Sequence, residues 1–254
     1  SSSGGSGGTT FEGGLDVKPP DDGGVNEASA CSSTSAEATL VPVNIYLVVD
    51  ISGSMIGTNI ASVKSGLTAF FQDPQTAGLR IALNYFPKGS SCDPLDYYTP
   101  EVPLGELAAT AAPQDAQEYQ LVSSIQSKSP TGGTPMYGGL KGGLDFGKDH
   151  LTNNPSEKMI VILTTDGSPG GCSENNQDDI DVIAGLAAHY FNQYAVRTFT
   201  IGLAGSQVAQ VTKIAVNAGG SAFFLGTSGN VRQDLIAAMK AISGSASACE
   251  YSIP

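Results

Sequence analysis

A near-continuous apolar run, Val43-Asn44-Ile45-Tyr46-Leu47-Val48-Val49, stops at Asp50 and gives way to Ile51-Ser52-Gly53-Ser54-Met55. Such a run suits a strand buried on both faces. Polar groups at its C-terminal end fall where an open α/β sheet places its ligands. Apolar residues then recur at helical spacing, at Ile60, Val63, Leu67, Phe70 and Phe71, predicting a helix over 59–72 that ends before Asp73-Pro74. A second strand is expected over 79–86. Broken alternation with Pro100 and Pro103 predicts a short edge strand over 97–104. Tyr119, Val122 and Ile125 mark a helix over 114–126, and the glycine loop Ser129-Pro130-Thr131-Gly132-Gly133-Thr134-Pro135 opens another that runs to about 148.

The opening pattern then repeats. Lys158-Met159-Ile160-Val161-Ile162-Leu163-Thr164-Thr165 is a second apolar strand with a carboxylate, Asp166, at its end. Beyond it the pattern predicts helices over 178–194, 206–217 and 231–242, with strands over 196–203 and 222–225 between them. Strands alternating with helices imply an α/β fold, doubly wound, with a mostly parallel sheet covered on both faces; right-handed crossovers limit its topology. Residues 1–39 differ: Gly, Ser, Pro and acidic residues predominate, which reads as a disordered linker preceding one domain over 40–254. Gly4-Gly5-Ser6-Gly7-Gly8 is a formal G-x-S-x-G match, but neither the strand nor the helix of a nucleophile elbow flanks it.

Charge and cysteines narrow the function classes. With 24 acidic against 12 basic residues and a net charge of −12, the chain lacks the cations that neutralise phosphates, so nucleic acid is not an expected partner. No apolar stretch reaches the ~20 residues that span a bilayer. Cys31, Cys92, Cys172 and Cys249 form no C-x-x-C pair and have no nearby His, which disfavours zinc and favours disulfides in an oxidising compartment. The chain begins at Ser1 without a charged-then-apolar leader, so any signal peptide is expected to have been removed or omitted, and Asn154-Pro155-Ser156 is no glycosylation acceptor because of its Pro.

The candidate chemistry lies at the strand ends. Asp50, Ser52 and Ser54, two residues apart, offer one carboxylate and two neutral oxygens of the kind a hard divalent cation accepts. The competing reading is local. Ser54 could start the following helix, Thr134-Pro135 could be an N-cap with Pro at the first helical position, and Asp166-Gly167 could be a turn.

Asp50-Ile51-Ser52-Gly53-Ser54 resembles the D-x-S-x-S signature of the von Willebrand factor type A domain family, which includes integrin I domains. Thr134 in Gly132-Gly133-Thr134-Pro135 falls at that family's third loop and Asp166 in Thr165-Asp166-Gly167 at its fourth, so the likeness covers about residues 40–243. The resemblance implies a Rossmann-type, six-stranded sheet with one short antiparallel edge strand. It also implies a metal-ion-dependent adhesion site formed by Asp50, Ser52, Ser54, Thr134 and Asp166. The cation is expected to be Mg²⁺, with Mn²⁺ or Ca²⁺ as alternatives, and a protein ligand is expected to complete its shell with an acidic side chain. In a parallel sheet of this kind Cys92 and Cys172 follow strands and lie on the metal-bearing side, while Cys31 and Cys249 lie at the opposite side. The expected disulfides are therefore Cys92–Cys172 and Cys31–Cys249.

Other acids and the histidines carry less. Asp178, Asp179 and Asp181 suit the first turn of a helix, Glu174 a solvated loop, and His150 and His189 structural roles. The resulting expectation is a non-enzymatic, monomeric, cation-dependent protein-binding or adhesion module. It is placed outside the cell or in a bacterial envelope and held there through the linker. A structural subunit of a surface assembly is the alternative. A haloacid-dehalogenase-type phosphatase also begins with a strand ending in Asp, but it needs a second Asp where Ser52 stands.

Overall fold

The computed structural model describes residues 43–108, 116–225 and 231–247. The expected linker over 1–39, the start of the helix expected from 114, and the expected Cys31–Cys249 pair lie outside the described residues. In chain order the elements are β1 (Val43–Asp50), α1 (Thr58–Phe71), β2 (Arg80–Phe86), α2 (Leu95–Tyr98), β3 (Val102–Glu106), α3 (Gln117–Ser127), α4 (Met136–Asn153), β4 (Lys158–Thr165), α5 (Ile180–Tyr194), β5 (Arg197–Gly202), α6 (Val208–Asn217), β6 (Ala222–Phe224) and α7 (Val231–Ser247).

The six strands form one sheet in the order β3-β2-β1-β4-β5-β6, with every pairing parallel except β2 with β3. The strand order reverses at β1: the chain moves outward to β2 and β3, then returns to lay β4 on the other side of β1. That makes the C-terminal ends of β1 and β4 the topological switch point, where open α/β sheets present their ligand sites. The register pairs Val49 with Thr164, so Asp50 and Thr165 emerge side by side.

β1 is buried along its whole length because its alternate side chains feed two cores. Ile45, Leu47 and Val49 pack with Val63, Leu67 and Phe70 of α1, Leu121 of α3, and Leu235 and Met239 of α7. Tyr46 and Val48 face the other side, with Leu140 and Leu144 of α4 and Ile183 and Ala187 of α5. Helix α4 lies close on the sheet because glycines line its inner face. A Cβ on Gly142 would stand 2.5 Å from the Tyr97 carbonyl carbon, and one on Gly143 would stand 2.8 Å from the Tyr46 ring.

The edge strand expected over 97–104 requires correction. Its first residues form the short helix α2, and the strand begins only at Val102. Tyr97 is turned from strand pairing by the core: its ring is buried, and its carbonyl accepts hydrogen bonds from Tyr46 Oη at 2.6 Å and Asn84 Nδ2 at 2.8 Å. Beside Pro103, which has no N–H to give the ladder, the Gln117 side-chain amide donates to the carbonyls of both Pro103 and Ile81 at 2.7 Å.

Candidate metal centre

The sheet carries Asp50 to its C-terminal rim, and the loop that follows turns back across it. Ile51 N–H donates to Phe86 O at 2.7 Å, and Thr131 N–H donates to Ile51 O at 2.8 Å, which staples the first loop to its neighbours. Residues Gly53–Met55 form a single tight 3₁₀ turn, and Gly53 N–H donates to Gly132 O at 3.0 Å. The Ser52 and Ser54 hydroxyls lie 3.0 Å apart as a result.

Four of the five expected residues are joined by hydrogen bonds. Ser52 N–H donates to Asp50 Oδ1 at 2.7 Å, the two serine hydroxyls pair, and Ser54 Oγ donates to Asp166 Oδ1 at 2.7 Å. Thr134 arrives on the next loop, held by reciprocal backbone bonds with Gly170 at 2.8 and 3.0 Å. Asp50, Ser52, Asp166 and Thr134 are all buried, and Ser54 is exposed.

The capping alternative does not hold for either hydroxyl residue. Helix α1 begins after Gly57, away from Ser54, and α4 begins after Pro135; neither helix start carries a side-chain cap. The Ser54 hydroxyl is directed instead at Asp166.

Two residues essential to the arrangement were not legible in the sequence. Thr165 Oγ1 donates to Asp50 Oδ2 at 2.7 Å, and Asn59 Nδ2 donates to Asp166 Oδ2 at 2.8 Å and to Ala204 O at 2.9 Å. Each carboxylate is thus gripped from two sides. Gly205 takes φ +106°, and a Cβ there would sit 2.8 Å from Asp166 O, so the loop after β5 also closes on this residue.

Burial pushes the Asp50 carboxyl up to about 6; hydrogen bonds from Ser52 and Thr165 pull it down, and the neighbouring Asp166 charge adds to the rise. Among the described residues no Lys, Arg or His forms an ion pair with Asp50 or Asp166. Two buried carboxylates without a cationic partner are costly unless a positive charge is supplied. No three His, Cys, Asp or Glu side chains converge among the described residues, and the five residues offer two carboxylates and three hydroxyls. Such an all-oxygen set of low charge matches Mg²⁺ or Mn²⁺ rather than a soft metal.

The remaining acids have other partners. Asp178 accepts Cys172 N–H with both oxygens at 3.0 Å, Asp179 caps α5 through Asp181 N–H, and Asp181 pairs with Lys213. Glu174 lies in a short 3₁₀ turn on the surface. His150 Nε2 contacts Glu157 Oε2 at 2.7 Å, and His189 stacks edge-on against Tyr190 and Tyr194. The Cys92–Cys172 disulfide is formed, with Cα atoms 5.7 Å apart, and links the loops that follow β2 and β4.

A mostly parallel α/β sheet thus carries an Asp-x-Ser-x-Ser loop at its switch point, with Thr134 and Asp166 on the neighbouring loops. The chain belongs to the von Willebrand factor type A domain family, whose model matches residues 44–238. Domains of that family serve as protein-interaction or adhesion modules. Among solved structures, the conserved hypothetical protein BatB from Bacteroides thetaiotaomicron is similar at a TM-score of 0.50 and 12% identity, over 80% of this chain and 99% of that one. At that identity the likeness speaks for the fold alone. No curated protein matches the chain.

Proposed function

We propose that this chain is a divalent-cation-dependent protein-binding module, in which Ser52, Ser54 and Thr134 contribute hydroxyl oxygens and Asp50 and Asp166 contribute carboxylates. The observation that carries the proposal is the pair of buried carboxylates, bound to one another through Ser52 and Ser54 and lacking any ion-pair partner among the described residues. When bound, Mg²⁺ or Mn²⁺ supplies a Lewis-acidic position that an acidic side chain of a protein ligand completes. The chain's part is orientation. Thr165 and Asn59 hold the outer carboxylate oxygens, and the 3₁₀ turn at Gly53–Met55 sets the spacing of the two serines.

The reading is non-enzymatic, because Ser52 stands where a phosphatase of the Asp-x-Asp type needs its second carboxylate, and both histidines are engaged elsewhere. The Cys92–Cys172 disulfide supports an oxidising setting, outside the cell or in a bacterial envelope. A pull-down of surface or envelope proteins by the immobilised chain tests the proposal: capture in Mg²⁺ that disappears in chelator is expected. Capture indifferent to chelator would instead favour a structural subunit whose metal serves only the fold.

A further inference from the structure

We propose that the Cys92–Cys172 disulfide is a thiol-responsive clamp that positions Thr134 for cation binding. This inference rests on the assignment of Thr134 to the metal site made above. Gly170 lies two residues before Cys172 and exchanges both of its backbone hydrogen bonds with Thr134, at 2.8 and 3.0 Å. The two residues form an isolated bridge outside the sheet, with no neighbouring ladder to reinforce it.

The segment beneath that bridge has little packing of its own. Gly167, Gly170 and Gly171 bear no side chains, a Cβ at Gly170 would meet nothing within 4 Å, and Gly171 sits at φ +96°. Glycine loops of this kind hold one conformation only when something outside them restricts the chain. Here the restriction is covalent. Cys172 is bonded to Cys92, its N–H is fixed by Asp178, and Cys92 Sγ rests 3.5 Å from Gly171 O.

The other half of the clamp is the loop that holds Cys92. A Cβ on Gly138 would lie 3.2 Å from Cys92 O, so this loop rests directly on the first turn of α4, which starts two residues after Thr134. The contacts close a ring from Thr134 through Gly170, Cys172, Cys92 and the α4 start back to Thr134. The S–S bond is the ring's single covalent closure.

A dithiol reductant opens it in two steps. Cys172 is 4% exposed and Cys92 is half-buried, so a reductant thiolate attacks the Cys92 sulfur. The protein S–S bond breaks, and Cys172 leaves as a thiolate that takes a proton. The reductant's second thiol then displaces Cys92, which is also protonated, and the reductant departs as its own disulfide with two electrons transferred to the protein. With the ring open, the Thr134–Gly170 bridge loses its anchor, and the site loses its third-loop oxygen.

The test compares the oxidised wild type, the dithiol-treated wild type and the C92S/C172S variant by two measurements. Amide hydrogen exchange reads Thr134 and Gly170 against β1 and β4, without any metal. Titration with Mn²⁺ alone, followed by electron paramagnetic resonance, reads cation affinity. The expected result is selective loss of protection at Thr134 and Gly170 with the strands unchanged. A rise of about tenfold in the Mn²⁺ Kd should accompany it, as for other groups that orient metal ligands. In Thr134→Ala, reduction should add no further loss of affinity. Unchanged protection at Thr134 and Gly170, or an Mn²⁺ Kd indifferent to reduction, would overturn the clamp. Failure of the oxidised wild type to bind Mn²⁺ at all would overturn the metal-site reading itself, and the clamp's role with it.

Discussion

Thr165 Oγ1 donates to Asp50 Oδ2 at 2.7 Å across the junction of the first and fourth strands. The bond fixes the carboxylate that burial would otherwise tend to neutralise, and it leaves the other oxygen to Ser52 N–H. Replacing Thr165 with Val keeps the β-branched shape and removes the donor. Mn²⁺ affinity should fall by about tenfold, in the range seen when a partner of a metal ligand is removed. Thermal unfolding should report a loss of about 1–2 kcal/mol, from a buried acceptor left without its partner. Affinity equal to wild type would mean that Asp50 needs no orientation.

At the opposite end of the sheet, Glu157 receives His150 Nε2 at 2.7 Å, Asn44 Nδ2 at 2.8 Å and Arg80 Nη1 at 3.3 Å. The His150 hydrogen bond, with further help from Asn44 and Arg80, holds the Glu157 carboxyl below its ordinary 4.5 despite partial burial. A depressed carboxylate adds stability that is present above the unfolded value and is lost as pH falls through the folded one. Denaturant midpoints should therefore decline as pH is lowered below about 4.5. Glu157→Gln should flatten that part of the acid limb; an identical acid slope in the variant would show that Glu157 does not contribute.

Gly142 allows α4 to lie against Tyr97. Alanine gains about 0.5–1 kcal/mol of helix propensity over glycine. A Cβ 2.5 Å from a backbone carbon, however, meets an atom that cannot rotate away, and overpacking of this kind costs about 1–3 kcal/mol. The clash wins, so Gly142→Ala should lower the Tm. Gly185→Ala on α5, where a Cβ meets nothing within 4 Å, should raise it. Equal shifts for the two would show that α4 can move outward at little cost.

The sheet was legible because its central strands are apolar on both faces, and the pattern at Asp50 recurs at Asp166. The pairing of Cys92 with Cys172 was legible for a related reason, since both cysteines follow strands whose C-terminal ends share one side. Thr165 and Asn59 were not. A threonine at the end of an apolar strand reads as an ordinary sheet residue, and only the Val49–Thr164 register brings it beside Asp50. Asn59 reads as a residue of a helix's first turn, and its bonds to Asp166 and Ala204 span more than a hundred positions of chain. The short helix at Leu95–Tyr98 was hidden because its cause is tertiary: Tyr46 and Asn84 claim the carbonyl of Tyr97. The capping role open to Ser54 and Thr134 in sequence is excluded only by where α1 and α4 begin.

Asp50, Ser52, Ser54, Thr134 and Asp166 are proposed to hold one divalent cation together. Titration calorimetry with Mg²⁺ and Mn²⁺ on the oxidised chain tests it most directly, alongside Asp50→Asn and Asp166→Asn variants whose fold is checked by thermal unfolding. The wild type should bind a single equivalent, and each variant should bind at least about tenfold more weakly. A wild type that takes up neither ion, or folded variants that bind as tightly as the wild type, would show that these five residues hold no shared cation.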